Sequence, residues 1–429
     1  MYMQQLTQID AGPPPANSPS AARASTIAFI ESGTVDGGSI SLLLSTLTYL
    51  DRQRFDPLVI FYYAASGTMI EKIRALGVPI YFASTKSPGY LPRWLRSDPR
   101  PRLLRKCISI GRIAYRLLAR DKPITMAVRR YLRKNRVEVV VLDSDLHSQY
   151  CGAVAARLEN LPILCRKAGG IGEGLRIKKY VTPLVDVFVA SSMATEKDQL
   201  SNPATKRTVL VYEGVDIPRY HGRRHNPALR SSLGIPGNKK IVTSVARLEA
   251  GKGQPELIEA AAKVIEEYPE VVFLIVGEET PPNGPNTSAL RDIVLRLGLT
   301  DNIVFAGARG DVPDILAITD VFVHCPTTWI EGLGLCHLEA MASGIPSVIS
   351  RNGGLPEPAI DGVTGIVVAP SDIAAMARAI LHFLVNPEVA EKFGRAARAR
   401  AEELFDIATN NVALENLLQE LASRRTGDT

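Results

Sequence analysis

Two series of short apolar runs constrain the fold of this chain more than any other feature of its sequence. The first series begins with T-I-A-F-I at residues 26–30, and the second includes V-V-F-L-I-V at residues 271–276. Each run has strand length and is followed by a stretch with helical composition. Strands that alternate with helices form parallel sheets covered on both faces. We therefore predict an α/β fold of two Rossmann-like domains, whose parallel sheets face each other across a ligand cleft.

The two series also divide the chain. Residues 1–24 are rich in Pro, Ala, Ser and Gln and lack the order of a signal peptide, so we expect a disordered leader. Residues 25–216 form the predicted N-terminal domain, and residues 241–405 form the predicted C-terminal domain. The polar passage at 217–240 is the predicted linker, and residues 406–429 contain a last predicted helix.

Cysteine usage and hydropathy indicate the compartment. The five cysteines are widely spaced and form no C-x-x-C pair, which argues against a disulfide framework or a zinc site. No run of eighteen apolar residues occurs, so the sequence predicts no membrane span. We therefore expect a cytoplasmic protein.

One segment carries most of the positive charge. Residues 93–136 contain 15 Lys or Arg and two acidic residues, interleaved with apolar residues at spacings of three and four. Such a pattern is typical of amphipathic helices, which bind anionic membrane surfaces at the inner face of a membrane. A solvated helical hairpin explains the pattern equally well. We expect no nucleic-acid binding, because no nucleic-acid module accompanies the charge.

The stretch at residues 329–345 combines a glycine turn with two spaced carboxylates. An apolar strand ends at Pro326, Gly332 and Gly334 follow, and good helix formers begin at Leu335. A helix N-terminus entered through glycines suits a phosphate.

The two carboxylates of this stretch have different predicted partners. Glu339 lies between one and two turns into the helix, where it could accept hydrogen bonds from two ribose hydroxyls. Glu331, on the loop, faces the group beyond the phosphates. An ordinary strand-helix unit with solvated glutamates is the alternative.

This stretch resembles the E-x7-E signature of the retaining family 4 glycosyltransferases, which have the two-domain GT-B fold. E-G-L-G-L, E-A-M-A-S-G, G-G-L-P-E and D-G-V-T-G occur here in the family's order. The resemblance implies a retaining transfer of a sugar from a nucleotide diphosphate sugar to a hydroxyl acceptor, which is a glycan, a lipid-linked sugar or a small molecule. It implies no cofactor and no metal, and a last helix that crosses back to the N-terminal domain. A nucleotide-sugar epimerase and a catalytically silent nucleotide-sugar-binding subunit remain alternatives.

Further donor-side residues follow from the resemblance. Gly37 and Gly38 would let the main chain approach the donor diphosphate from the first domain, although alone they indicate only a turn. Backbone near Gly307 is the expected base pocket. Arg247 and Lys252 resemble the family's cations at the diphosphate, where fixed charge stabilises the leaving group. Alone, such a pair after a strand is typical of a solvated loop.

The first domain supplies the expected acceptor side. Asp143 begins a D-S-D sequence that resembles a metal motif of another fold, but no further carboxylates accompany it, so we predict no metal site. His147 is a candidate general base or a polar residue that lines the cleft. Arg166 and Lys167 stand after an apolar strand where many family members have a histidine, and we assign Lys167 to the acceptor side.

Two glutamates lie in other motifs of the family. Glu213 replaces the asparagine of the family's N-G-V-D turn, which joins the domains. Gly353 and Gly354 predict another helix N-terminus at the cleft, where Glu357 either caps the helix or supports residues that contact the ligand.

Overall fold

The computed structural model describes residues 23–31, 38–63, 67–84, 116–143, 146–167, 178–220, 222, 226–279 and 287–427. The strands are β1 Ser25–Glu31, β2 Phe55–Tyr63, β3 Ile80–Ser84, β4 Val139–Leu142, β5 Ile163–Lys167, β6 Val187–Ala190, β7 Thr208–Leu210, β8 Lys240–Val245, β9 Val271–Val276, β10 Ile303–Gly307, β11 Val321–His324, β12 Ser347–Ser350 and β13 Gly365–Val368. The α-helices are α1 Gly38–Tyr49, α2 Thr68–Ala75, α3 Lys122–Lys134, α4 Leu146–Arg157, α5 Lys178–Val181, α6 Met193–Leu200, α7 Pro227–Ser232, α8 Gln254–Glu267, α9 Thr287–Arg296, α10 Val312–Ala317, α11 Leu335–Ala342, α12 Ile373–Val385, α13 Pro387–Leu404 and α14 Ile407–Gly427.

The two predicted parallel sheets are confirmed. The first sheet has the order β3-β2-β1-β4-β5-β6-β7, and the second has the order β10-β9-β8-β11-β12-β13. Every strand pair in both sheets is parallel. Because helices cover both faces, strands such as β4 and β9 are buried along their whole length, which explains their continuous apolar runs.

The last helix returns to the N-terminal domain. Leu414, Leu418 and Leu421 of α14 are buried in the same apolar cluster as Phe29 of β1. The returning chain passes beside the outgoing linker, where Val215 N donates to the carbonyl of Phe405 over 2.8 Å. The polypeptide therefore crosses between the two domains twice at one place.

Several predictions fall partly or wholly outside the described residues. These include the leader up to residue 22, Gly37, and residues 93–115 of the basic segment. In the described remainder of that segment, Arg129 and Arg133 both pair with Glu159. Membrane binding by residues 93–136 therefore stays a prediction.

No single helix among the described residues is both long enough and apolar enough to cross a membrane. Only α12 and α13 counted together reach the required length and composition, and they meet at a bend of 104°.

Candidate active site

The candidate site lies where the strand order of the second sheet reverses. β8 and β11 are neighbours, but the chain continues from β8 to one side of the sheet and from β11 to the other. Loops that follow such strands diverge and leave a crevice at the carboxyl ends, the usual ligand position in open α/β sheets. Arg247 and Lys252 follow β8, and Glu331 follows β11. The fold thus brings together residues that are distant in the sequence.

Glu331 is held by two cationic side chains. Its Oε1 lies 2.6 Å from Lys252 Nζ and 3.0 Å from His324 Nε2. The exposed fractions are 13% for Glu331, 10% for Lys252 and 2% for His324, so water screens these charges weakly. Burial would raise the pKa of Glu331, but the contacts with His324 and Lys252 lower it to about 2. Glu331 is therefore a carboxylate throughout the physiological pH range.

His324 is a site residue that the sequence analysis missed. Burial favours the neutral imidazole and would lower its pKa, but contacts with Cys336 and Glu331 raise the pKa to about 10. Its position as the last residue of β11, beside the reversal of strand order, was the available signal. The protonated ring gives Glu331 a second counter-charge.

Arg247 and Lys252 both lie against the ring of Trp329, a second residue that was missed. Arg247 Cζ is 5.7 Å and Lys252 Nζ is 4.5 Å from the ring centroid, within the range of cation–π attraction. Arg247 also pairs with Glu249 at 2.6 Å, and its side chain is 46% exposed. A guanidinium has five N–H donors, so Arg247 keeps donors for a phosphate while it contacts Glu249.

Glycine lets the loop after β8 approach the loop after β11. Gly253 has φ +86°, and a Cβ atom there would lie 2.0 Å from the carbonyl oxygen of Cys325. The conformation disfavours other residues, and the contact leaves no room for a side chain. This approach places Lys252 within reach of Glu331.

Glu339 faces the other domain. It lies inside α11, and its Oε1 accepts a hydrogen bond of 2.7 Å from Tyr220 Oη. Burial raises the pKa of Glu339, while Tyr220 and Arg219 oppose the rise. A solvent-open cleft of about 300 Å³ is lined by Glu339 and Leu335, by α1 and by the linker. The carboxylate thus lines a space between the two domains.

The predicted donor-side glycines lie on three different parts of the fold: the start of α1, the loop before α11 and the end of β10. Gly38 begins α1, and a Cβ atom there would lie 3.8 Å from Leu335 Cδ1, so α1 meets α11 across the cleft. Gly332 is buried, and Gly334 caps the N-terminus of α11 with φ +89°. Gly307 ends β10, the outermost strand of the second sheet. It therefore lies at the same carboxyl edge, two strands away from β8.

The acceptor-side residues lie at the carboxyl edge of the first sheet, but Asp143 is not open to the cleft. It is 1% exposed and pairs with Arg166 Nη1 at 3.0 Å, and Arg166 also donates to Thr46 Oγ1 over 2.9 Å. His147 is the second residue of α4. Arg166 and Lys167 belong to β5 and do not follow it, because they pair with β6 in register. The ion pair with Asp143 is what permits a buried arginine in a strand.

Glu213 is a buried carboxyl in the turn that joins the domains. Its side chain lines a cleft of about 380 Å³ that also contains Arg166 and Asn411. Burial raises the pKa of Glu213 to about 8, and the charges of Asp143 and Glu331 add to the rise although Arg166 opposes it. Glu213 is therefore mostly protonated at neutral pH.

The raised pKa of Glu213 makes stability depend on pH. Between the ordinary pKa of about 4.5 and about 8, the folded state holds a proton that the unfolded state releases, so stability falls as pH rises. We expect Glu213→Gln, which cannot ionise, to melt at least about 2 °C above the wild type at pH 8 and near it at pH 5. Thermal melts at both pH values measure this, with exposed Glu266→Gln as control. An equal difference at both pH values would contradict the expectation.

Part of the chain is similar to known proteins. Residues 226–400 match the family described as "Glycosyl transferases group 1". The chain is similar to spore coat protein SA of Bacillus subtilis (strain 168), with 33% identity over 232 residues, 52% of this chain and 60% of that protein. It is similar to the GDP-mannose-dependent alpha-(1-6)-phosphatidylinositol monomannoside mannosyltransferase of Mycolicibacterium smegmatis, with 34% identity over 215 residues, 48% of this chain and 54% of that protein. The matches therefore span little more than half the length of these relatives.

Solved structures resemble the chain over nearly its whole length. The structure of Anabaena Alr3699/HepE in complex with UDP and glucose has a TM-score of 0.75 at 23% identity, and covers 92% of this chain and 100% of that one. A glycosyltransferase from Rickettsia africae has a TM-score of 0.73 at 19% identity, with coverage of 93% and 99%. The overall fold is the two-domain GT-B fold.

Proposed function

We propose that this chain, whose residues 226–400 match the glycosyl transferases group 1, is a retaining glycosyltransferase. It moves a sugar from a nucleotide diphosphate sugar to a hydroxyl group of a glycan, a lipid-linked sugar or a small molecule. The observation that carries this proposal is the cationic setting of Glu331, with Lys252, His324 and the nearby Arg247 at the reversal of the strand order. A site with surplus positive charge suits the polyanionic donor.

The charges of the site match the charge changes of glycosyl transfer. Breaking the bond between sugar and phosphate leaves negative charge on the nucleotide, which Arg247 and Lys252 stabilise as it develops. Glu331 accepts hydrogen bonds from donor-sugar hydroxyls, and Glu339 accepts them from the ribose. Both roles use carboxylates held in place by the protein.

The ion pairing of Glu331 supports a mechanism without an enzyme nucleophile. A carboxylate with a pKa of about 2 and two cationic contacts is a weak nucleophile and a weak base. We infer that the acceptor hydroxyl attacks from the face that the leaving phosphate vacates, and that a phosphate oxygen takes the proton. The sugar then keeps its anomeric configuration, which NMR of the product measures.

We expect one nucleoside diphosphate to raise the melting temperature of the protein by roughly 3 °C or more at about 100 times its Kd, because it binds only the folded state. The proteins compared above differ in nucleotide, because the mannosyltransferase is named GDP-mannose-dependent and the HepE structure contains UDP. UDP, GDP, ADP and their sugar conjugates are therefore tested in parallel. Glu339→Ala should lose the shift, and exposed Glu266→Ala should keep it.

The melting assay, followed by analysis of the products, separates the glycosyltransferase from the epimerase and the silent subunit. No shift with any nucleotide would contradict donor binding. A shift followed by isomerisation of the donor without an acceptor would indicate the epimerase. A shift with neither isomerisation nor transfer would indicate the silent subunit.

We expect EDTA to leave the transfer rate within twofold of the untreated enzyme. Among the residues that the structure describes, no group of three or more His, Cys, Asp or Glu side chains could hold a metal ion. Fixed cations at Arg247 and Lys252 supply the charge that a metal would otherwise bring to the diphosphate. Initial rates measured with chelator in excess over adventitious metal test this expectation. A loss of more than about tenfold, restored by a divalent cation, would overturn metal independence.

A further inference from the structure

Glu357 of the C-terminal domain contacts a helix of the N-terminal domain. Its Oε2 accepts a hydrogen bond of 2.8 Å from Met193 N, and its Oε1 accepts one of 2.8 Å from Ala194 N. These are the first two residues of α6. The sequence predicted a helix N-terminus after Gly353 and Gly354, with Glu357 as its cap or as a supporting residue. The predicted helix is wrong, because residues 353–358 form turns and bends. The carboxylate instead caps a helix across the domain boundary.

The contact completes the N-terminus of α6. A helix leaves its first N–H groups without partners within the helix. Ser192 and Thr195 form a capping box, in which Thr195 N donates to Ser192 Oγ and Ser192 N donates to Thr195 Oγ1. The capping box provides no acceptor for the N–H groups of Met193 and Ala194, and both groups donate to Glu357. Negative charge at this position also interacts favourably with the helix dipole.

The loop that carries Glu357 also holds the main chain of Glu331. Glu331 N donates to Asn352 Oδ1 over 3.2 Å, and Gly354 N donates to the carbonyl oxygen of Glu331 over 3.0 Å. The peptide groups on both sides of Glu331 are thus bonded to residues 352–354. A shift of this loop would move Glu331 relative to Lys252 and His324.

Gly354 is packed between the donor site and the N-terminal domain. A Cβ atom there would lie 1.9 Å from the carbonyl oxygen of Gly332 and 2.5 Å from Ser192 Oγ. A single glycine therefore separates the E-x7-E loop from the cap of α6. The other end of the loop is fixed by Arg400, whose Nε donates to the carbonyl of Pro358 over 2.7 Å.

We propose that Glu357 is a positioning residue, which couples the arrangement of the two domains to the placement of Glu331. The inference rests on the proposed function, since it assigns Glu331 to the donor sugar. When the carboxylate binds the two N–H groups of α6, the loop at residues 352–357 is held between the domains, and Glu331 is held with it. Both carboxylate oxygens of Glu357 accept hydrogen bonds from α6, and Oε2 also lies 3.4 Å from Tyr212 Oη, so we assign Glu357 to positioning and not to contact with the donor.

The test separates positioning from donor binding. We expect Glu357→Ala to lower kcat by roughly 10–100-fold, because a misplacement of about 1 Å costs that much, while the Kd for the nucleotide changes by less than about threefold. Glu357→Gln keeps the volume and one acceptor oxygen, so it should lie between wild type and alanine. Glu388→Ala removes an exposed carboxylate from the first turn of α13 in the same domain and is the matched control.

Hydrogen exchange supplies a readout that does not depend on activity. The amides of Met193 and Ala194 should exchange at least about tenfold faster in Glu357→Ala and by an intermediate factor in Glu357→Gln, while amides bonded within α6 keep their protection. Faster exchange with a kcat within twofold of wild type would overturn the positioning role. Unchanged exchange would overturn the contact itself. A wild type that binds no nucleotide would instead contradict the proposed function, and the exchange result would still report on the contact.

Discussion

Replacing Arg247 by alanine is expected to lower kcat by roughly two to three orders of magnitude, the usual effect of removing one group that stabilises charge in the transition state. The guanidinium is half exposed, lies 5.7 Å from the Trp329 ring centroid and is held by Glu249 at 2.6 Å. These contacts fix a permanent cation beside Trp329, close in the chain to Glu331, without burying it. The loss should fall on kcat, since the charge on the leaving group develops only during transfer.

The measurement is the initial rate at saturating donor, once the nucleotide has been identified. Arg395→Ala is the matched control, because Arg395 is an exposed arginine that pairs with Glu391 one turn away within α13. Its rate should equal that of the wild type. An Arg247→Ala rate within threefold of wild type would refute the assigned role, whatever the effect on KM.

The fold was predictable because its signal is local. Parallel strands covered by helices must be apolar along their whole length, and runs such as β9 show this without knowledge of their partners. The same rule explains one error in a boundary. β5 extends through Arg166 and Lys167, and the charge of Arg166 is tolerated only because Asp143, 23 residues earlier in the chain, neutralises it. A pattern of apolar residues along the sequence does not show that such an ion pair forms.

The site was predictable only where its residues share a short motif. Glu331, Glu339 and the glycines between them follow from spacing along one strand-helix unit. The contacts that set their chemistry come from elsewhere in the chain. Lys252 lies 79 residues before Glu331, and Tyr220 lies 119 residues before Glu339. No local pattern indicates that a tyrosine of the linker donates to a carboxylate in a helix.

The partner of Glu357 was missed for the same reason. The sequence indicated a cap or a supporting residue, and the residue does cap a helix. The capped helix lies 163 to 164 residues earlier in the chain and in the other domain. Sequence therefore indicated the chemistry of the side chain, and only the tertiary structure identified its partner.

Replacing Glu331 by alanine is expected to reduce the free energy of unfolding by about 3–5 kcal/mol, because it leaves the buried cations Lys252 and His324 without their shared counter-charge. Transfer activity should be lost together with stability. Urea titration of the wild type and the variant measures the difference. Glu391→Ala, which removes an exposed carboxylate that pairs with Arg395, should match the wild type.

The pH dependence and a second substitution identify the cause of this loss. The lowered pKa of Glu331 stabilises the folded state above about pH 4.5, and this stabilisation is lost as the pH falls through about 2. The raised pKa of His324 stabilises the folded state below about pH 6.5, and this stabilisation is lost as the pH rises through about 10. The penalty of Glu331→Ala should therefore be largest near pH 5 and shrink as the pH rises. Adding His324→Leu should recover part of the loss, since it removes one of the two unpaired cations. A penalty independent of pH and unchanged by His324→Leu would mean that Glu331 stabilises the domain through packing, because neither result involves charge.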